Sequence, residues 1–80
     1  MTVEEKVKEI TARITHKNVG EIKTDGTFKD LEADSLDVVQ ILVALEEEYN
    51  IELEDEEMQK VTNMGEFVAY IERKVAEKGS

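Results

Sequence analysis

Ser35 is the side chain whose type and position most clearly suggest chemistry. It lies in the segment "LEADSLDVVQILVAL", where an acidic stretch passes into an apolar helical pattern. Three interpretations are open from the residues alone. A serine at a helix start often serves only to cap the helix. A nucleophilic serine needs a base and an oxyanion hole, whereas an exposed hydroxyl can be modified by another enzyme.

The rest of the chain offers little for catalysis or metal binding. His16 is the single histidine, no Gly-x-Ser-x-Gly elbow is present, and there is no cysteine. The turn at Asp25-Gly26 is followed by Thr27 and Lys29, where a calcium loop needs carboxylate ligands. We therefore expect no catalytic residue and no metal site, and we interpret His16 as a loop residue without a functional role.

The negative charge is concentrated in the middle of the chain. The sequence has 20 acidic and 10 basic side chains, a net charge of −10. Residues 31–60 hold 11 acidic side chains and one basic one, which accounts for the whole imbalance. Nucleic acid and anionic lipid are disfavoured as partners, because phosphate binding needs a basic patch. We expect partners with basic surfaces, and an acidic face that serves only solubility is the alternative.

Nothing in the sequence suggests export or membrane insertion. The segment "MTVEEKVKEI" is charged throughout, unlike a secretory signal, and the longest apolar run, residues 38–45 interrupted by Gln40, is too short to cross a bilayer. The lack of cysteine fits a reducing compartment. We expect a cytoplasmic protein that does not insert into membranes.

The elements that position Ser35 are predicted to be helices. The chain of 80 residues lacks proline and is rich in helix-forming residues, so we expect a single all-α domain over residues 1–80. Thr2 and Glu5 form a capping box for a first helix over about residues 3–15. The connection that follows is long, and four apolar side chains are expected to anchor it: Val19, Ile22, Phe28 and Leu31.

Three further helical segments complete the predicted fold. A second helix covers about residues 35–49, with Asp34 as its N-cap and Asn50 at its end. A short helical turn is expected near residues 55–60. Together with a last helix, these segments predict a small four-helix bundle with three longer helices and one short helix. The last helix is expected to be capped by Asn63 and Glu66 and lined by Met64, Phe67, Val68, Ile71 and Val75.

The second helix has two apolar stripes. At about 100° per residue, one stripe has the pattern of a core face; it consists of Val38, Ile41, Leu42, Leu45 and Tyr49. Leu36, Val39 and Val43, which we call the second stripe, fall on another side and are bordered by Gln40, Glu46 and Glu47. A helix that is apolar on two sides is either buried on both or presents one of them to a partner. The bordering carboxylates need contact with water, so burial of the second stripe is disfavoured. We therefore favour the interpretation that this stripe faces a partner.

The segment "ADSLDVVQILVALEEEYNIEL" resembles the acyl carrier proteins of fatty-acid synthesis, and "NMGEFVAYI" resembles the start of that family's last helix. Length, acidity and helix order agree too, so the resemblance covers nearly the whole chain. In the family, an Asp-Ser-Leu motif opens the second helix and its serine carries 4′-phosphopantetheine. The resemblance therefore implies that Ser35 is the attachment residue, with Asp34 and Leu36 as its motif neighbours. Because the arm ends in its own thiol, such a carrier needs neither a base nor a cysteine.

The resemblance also implies how the protein acts with others. Its partners would be phosphopantetheinyl transferase and fatty acid synthesis enzymes with basic surfaces. The protein itself would be a monomeric carrier of acyl chains and not an enzyme. The acyl chain would enter the core near Leu42, Leu45 and Ile71. The family's partner-facing helix corresponds to Leu36, Asp37, Val39, Gln40, Val43, Glu46 and Glu47.

Three positions depart from the family pattern. Glu32 stands where glycine is usual, Gln40 replaces a common glutamate, and Glu54 replaces a frequent proline. None of them touches the attachment chemistry, but together they leave open a specialised carrier. A carrier of polyketide, aminoacyl or D-alanyl cargo shares the arm and stays an alternative. An acidic helical module that is never modified is a second alternative.

Overall fold

Four α-helices form the chain in the order that the sequence predicts. The computed structural model describes residues 2–79 and contains no strand within that range. The prediction of an all-α bundle with three longer helices and one short helix is confirmed. Met1 and Ser80, the ends of the predicted single domain, lie outside the described residues. The helices are α1 (Val3–Thr15), α2 (Ser35–Tyr49), α3 (Asp55–Met58) and α4 (Met64–Gly79).

Side-chain caps fix where α1 and α4 begin. Thr2 Oγ1 accepts a hydrogen bond from the Glu5 amide at 3.1 Å, and the Glu5 carboxylate accepts one from the Thr2 amide at 3.3 Å. The predicted capping box of α1 is therefore confirmed. At α4 only half of the predicted box forms, since Asn63 Oδ1 accepts from the Glu66 amide at 2.9 Å. The Glu66 carboxylate instead accepts from the hydroxyl and amide of Thr62, at 2.9 and 3.2 Å.

The core lies between α1, α2 and α4, with α1 packed against both of the others. The core stripe of α2 is confirmed in its centre, because Ile41, Leu42 and Leu45 are buried, while the outer members Val38 and Tyr49 are half-buried. Tyr70 is also buried, at 4% exposure, although the sequence pattern did not include it. The buried aliphatic and aromatic residues form one cluster: Val7, Ile10, Ala12, Ile22, Leu31, Ile41, Leu42, Leu45, Ile51, Met64, Phe67, Val68, Tyr70 and Ile71.

The long connection between α1 and α2 is held against the start of α4. The amides of Met64 and Gly65 donate to the carbonyls of Gly26 and Thr24, each at 2.8 Å. This approach is close, since a Cβ on Gly65 would lie 2.9 Å from Thr24 Cγ2. These bonds join the middle of the connection to the start of α4.

Three of the four predicted anchors of this connection are confirmed. Ile22 and Leu31 are buried, and Phe28 is half-buried with its ring edge-on to Phe67 at 5.3 Å between centroids. The prediction for Val19 was wrong, because its side chain is 51% exposed. Val19 lies in a short 3₁₀ turn, Val19–Glu21, whose tight backbone directs this side chain away from the core.

Candidate functional site

Ser35 is the first residue of α2 and is exposed to solvent. The N-cap of this helix is Asp34, as predicted. Asp34 Oδ1 accepts a hydrogen bond from the Asp37 amide at 2.9 Å, and Asp37 Oδ2 accepts one from the Asp34 amide at 3.4 Å. The two carboxylates also lie at the positive end of the helix dipole, where negative charge is stabilising. Since Asp34 performs the capping, the hydroxyl of Ser35 is left for another use.

The second stripe faces solvent beside Ser35. Leu36 is 64% exposed, Val39 51% and Val43 45%, whereas the core stripe on the other side of α2 is buried at its centre. The prediction that α2 has one buried and one exposed apolar side is therefore confirmed. These three side chains form a row along the outside of the helix that starts next to Ser35, because residues three or four apart share a helix face.

The polar residues of the predicted partner-facing set differ in their surroundings. Gln40 and Glu47 are exposed, whereas Asp37 and Glu46 are half-buried and engaged with the backbone. Asp37 belongs to the capping box. Glu46 Oε2 accepts a hydrogen bond from the Leu53 amide at 2.9 Å. The hydrogen bond between Glu46 and Leu53 is a structural role that the sequence did not reveal.

Glu57 is the centre of a network that joins α3 to α4. Its carboxylate accepts hydrogen bonds from the Tyr70 hydroxyl at 3.1 Å and from Arg73 at 3.1 Å, and it pairs with Lys74 at 3.0 Å. The hydrogen bond from Lys74, with help from that of Tyr70, holds the pKa of Glu57 below its ordinary value. The same bond raises the pKa of Lys74.

Tyr70 extends this network to the segment before α3. Its hydroxyl oxygen accepts a hydrogen bond from the Glu54 amide at 3.0 Å, and burial raises the pKa of this hydroxyl. A four-residue helix has too few internal hydrogen bonds to be stable alone, so α3 depends on the Tyr70 and Glu57 contacts and on the packing of Met58 against the core. Sequence reasoning missed both residues, although Tyr70 follows the core residue Phe67 at helical spacing.

The backbone before Ser35 turns sharply at Glu32. Glu32 has φ 58°, in the left-handed region, and the next amide, that of Ala33, donates to the Phe28 carbonyl at 3.0 Å. Left-handed backbone favours glycine, because a Cβ is crowded there. Glu32 therefore occupies a glycine-like position in the turn that leads into α2.

The sequence and the fold are similar to those of acyl carrier proteins. A family model described as a phosphopantetheine attachment site matches residues 5–71. The acyl carrier protein of Clostridium acetobutylicum is 50% identical over 68 residues, which cover 84% of this chain and 88% of the relative. The acyl carrier protein of Wolinella succinogenes is 44% identical over 73 residues, covering 90% of this chain and 96% of the relative.

A solved structure agrees with these relatives. The solution structure of the holo acyl carrier protein from Geobacter metallireducens superposes with a TM-score of 0.83 and 25% identity. The alignment covers 98% of this chain and 91% of that protein. The likeness therefore extends over nearly the whole helical bundle.

These matches define the class of protein, which is a helical carrier domain that bears 4′-phosphopantetheine. The chain belongs to the acyl carrier protein family and carries acyl groups on that arm. Members of the family are carriers and are not themselves catalytic; they interact with phosphopantetheinyl transferases and with synthesis enzymes. Among residues 2–79, no helix is both long and apolar enough to cross a membrane.

Proposed function

We propose that 4′-phosphopantetheine is attached to the hydroxyl of Ser35 and that residues 1–80 form one acyl carrier domain. The observation that carries this proposal is the exposed position of Ser35 at the first turn of α2 while Asp34 caps the helix. A transferase can reach such a hydroxyl without unfolding the protein. Asp34 and Leu36 complete the proposed attachment motif.

The residues around Ser35 fit the arm as a covalent cofactor. A phosphodiester needs an accessible hydroxyl on a rigid support, which the capped start of α2 provides. When bound, the arm supplies a terminal thiol that holds the acyl group as a thioester. The chain itself then binds, shields and presents its cargo, and partner enzymes supply the catalysis.

The proposed partner surface is the exposed side of α2. An apolar row with an acidic border suits a partner that has an apolar contact surrounded by basic side chains. The proposed partners of this kind are the phosphopantetheinyl transferase and fatty acid synthesis enzymes. The carrier binds them as a monomer in the cytoplasm. The proposed contact residues are Leu36, Asp37, Val39, Gln40, Val43, Glu46 and Glu47, of which Leu36, Val39 and Val43 are the exposed apolar members.

The proposed cargo is a fatty acyl chain. Leu42, Leu45 and Ile71 belong to one buried cluster of aliphatic and aromatic side chains, a medium that favours a hydrocarbon chain over a polar cargo. The naming of the bacterial relatives as acyl carrier proteins supports the same assignment. Polyketide, aminoacyl or D-alanyl cargo is the alternative, and the cargo found on protein isolated from its native host distinguishes them by mass.

The sequence provides a matched pair of variants for the attachment site, because Ser35 and Ser80 are its two serines. Incubation with coenzyme A and a phosphopantetheinyl transferase should add one arm to the wild type and to Ser80→Ala, as measured by intact mass. Ser35→Ala should gain none. Labelling of Ser35→Ala at the wild-type level would refute the assignment, and a circular dichroism spectrum checks that this variant is folded.

A further inference from the structure

Three residues other than glycine have left-handed backbone within the described range: His16, Glu32 and Asn50, with φ of 60°, 58° and 53°. In each case the next amide donates to a carbonyl five residues earlier. The distances are 2.9 Å for Lys17 to Ala12, 3.0 Å for Ala33 to Phe28 and 3.1 Å for Ile51 to Glu46. All three therefore occupy the same position of the same hydrogen-bonded turn, which follows a helix at His16 and Asn50 and a non-helical turn at Glu32.

Glu32 is the unusual residue of this set. Glycine is the usual occupant of the position and asparagine the next. Histidine and asparagine are also enriched among residues with left-handed backbone, whereas glutamate is not. His16 and Asn50 thus suit their turns and end α1 and α2. Glu32 imposes backbone strain at a turn that glycine would form without it.

The side chain of Glu32 does little to offset this strain. It is 85% exposed, and its contact among the described residues is an ion pair with Lys17 at 3.9 Å. An exposed pair at that distance contributes little to stability. The stability of the fold therefore does not explain a glutamate at this position. Strained residues of this kind cluster at functional sites.

The place of Glu32 suggests what its carboxylate does. It lies three residues before Ser35, in a region where the carboxylates of Asp34 and Asp37 each accept a hydrogen bond from a backbone amide. Glu32 accepts no such bond within the described chain, and apart from the 3.9 Å pair with Lys17 its carboxylate is open to solvent. A cationic side chain on an approaching protein would meet it at little desolvation cost.

We propose that Glu32 is a recognition residue for arm transfer, whose carboxylate binds a cationic group on the basic surface of the phosphopantetheinyl transferase as that enzyme approaches Ser35. The inference rests on the proposed attachment at Ser35. The left-handed glutamate lowers the stability of the turn and raises the rate of partner association, through a contact that lies outside α2.

The test compares stability and arm transfer in four variants of the full chain. Glu32→Gly removes both the strain and the charge, and Glu32→Gln removes only the charge. Asn50→Gly changes an equivalent turn far from Ser35. Glu52→Gln removes an exposed charge beyond the other end of α2, about 20 Å from Ser35 along the helix axis. Thermal midpoints and kcat/KM for arm transfer from coenzyme A are measured at low and high salt.

We expect Glu32→Gly and Glu32→Gln to lower kcat/KM by about two- to fivefold at low salt, the range that one exposed charge pair supports. The loss should shrink at high salt, because screening weakens the contact in the wild type. Glu32→Gly should raise the thermal midpoint by about 4 °C or more, whereas Glu32→Gln should not. Asn50→Gly and Glu52→Gln should transfer the arm at the wild-type rate.

Wild-type kinetics for Glu32→Gln would overturn the proposal, whatever Glu32→Gly does, because the carboxylate would then have no part in recognition. An equal loss of rate in Glu52→Gln would also overturn it, since the effect would be one of net charge. Failure of the proposed attachment site gives a different result: Ser35→Ala would still accept the arm.

Discussion

The carboxylate of Glu46 accepts a hydrogen bond from the backbone amide of Leu53, with 2.9 Å between Oε2 and the nitrogen. Glu46 lies at the border of the exposed second stripe, and Leu53 lies in the connection to α3, packed against the core. A residue of the proposed partner surface thus also holds the segment that leads to the short helix. A loss of partner binding after mutation of Glu46 therefore has two possible physical causes.

Glu46 and Glu47 form a matched pair that separates these causes. Glu46→Ala leaves the Leu53 amide without its acceptor and should lower the free energy of unfolding by about 1–2 kcal/mol. Glu46→Gln keeps an oxygen acceptor, so its free energy of unfolding should fall by less. Glu47 is exposed, so Glu47→Ala should change stability by no more than about 0.5 kcal/mol.

Urea unfolding and hydrogen exchange at the Leu53 amide measure the effect of Glu46. Exchange should be faster in Glu46→Ala than in Glu46→Gln, and unchanged in Glu47→Ala. Equal exchange in Glu46→Ala and the wild type would mean that the hydrogen bond does not restrain the connection.

The concentration of acidic side chains in residues 31–60 should limit stability at low ionic strength. The net charge of the whole chain is −10, and this segment accounts for all of it. Added salt screens charges more than about 10 Å apart at 0.1 M, so the thermal midpoint should rise with salt and more steeply with magnesium. A midpoint that stays flat or falls would show that repulsion within the segment is not significant.

A pair of charge reversals locates this effect within the molecule. Glu52→Lys reverses an exposed charge inside residues 31–60, and Glu72→Lys makes the same change on α4, outside that range. The first variant should gain more stability at low salt than the second. Equal gains would attribute the effect to net charge and not to its distribution.

The network at Glu57 predicts a dependence of stability on acid pH. Hydrogen bonds from Lys74 and Tyr70 lower the pKa of Glu57 in the folded state from its ordinary value of 4.5. A carboxyl group whose pKa is lower in the folded than in the unfolded state stabilises the folded protein at pH values above its unfolded pKa. This contribution is lost as the pH falls through the folded-state pKa. Glu57→Gln should therefore be less stable than the wild type at pH 7, and the difference should narrow below about pH 4.5.

Unfolding in urea between pH 7 and pH 3 measures this change. Glu56→Gln is the matched control, since Glu56 is an exposed neighbour in the same helix. Its loss of stability at pH 7 should be smaller than that of Glu57→Gln. A difference between Glu57→Gln and the wild type that does not vary with pH would contradict the role assigned to the Glu57 carboxylate.

The parts of the fold that depend on neighbours in sequence could be predicted. The caps Thr2 and Asp34 and the two sides of α2 follow from spacings of three and four residues, which the helix geometry fixes. Residue type and position drew attention to Ser35, and the resemblance to a known family implied its role. These features are local, so one sequence contains the information needed to find them.

The remaining features depend on contacts between distant segments. The Tyr70 hydroxyl reaches the Glu54 amide and the Glu57 carboxylate, 16 and 13 residues away in sequence, and helical periodicity does not encode such pairs. Val19 was predicted to be buried from its apolar side chain alone, but the geometry of the 3₁₀ turn leaves it exposed. The left-handed backbone of Glu32 could not be predicted either, because glutamate rarely adopts it.

The two sides of α2 should respond differently to mutation, because one is buried and the other faces solvent. Leu45 is fully buried, and Leu45→Ala should cost about 2–5 kcal/mol through lost burial and a residual cavity. The stability of so small a domain lies near the low end of about 5–15 kcal/mol, so this variant should be partly unfolded. Val39→Asp and Val43→Asp should change stability by no more than about 0.5 kcal/mol, because both side chains already contact water.

The same two valine variants should impair arm transfer and delivery to partner enzymes. A carboxylate in the centre of an apolar contact is desolvated on binding without a matched partner, which weakens association. Charge reversal at Glu47 should act differently, by slowing association mainly at low salt. Circular dichroism melts beside transferase kinetics distinguish the two sides of the helix. If Val39→Asp and Val43→Asp unfolded the protein as Leu45→Ala does, the second stripe would be part of the core and could not be the surface that partners bind.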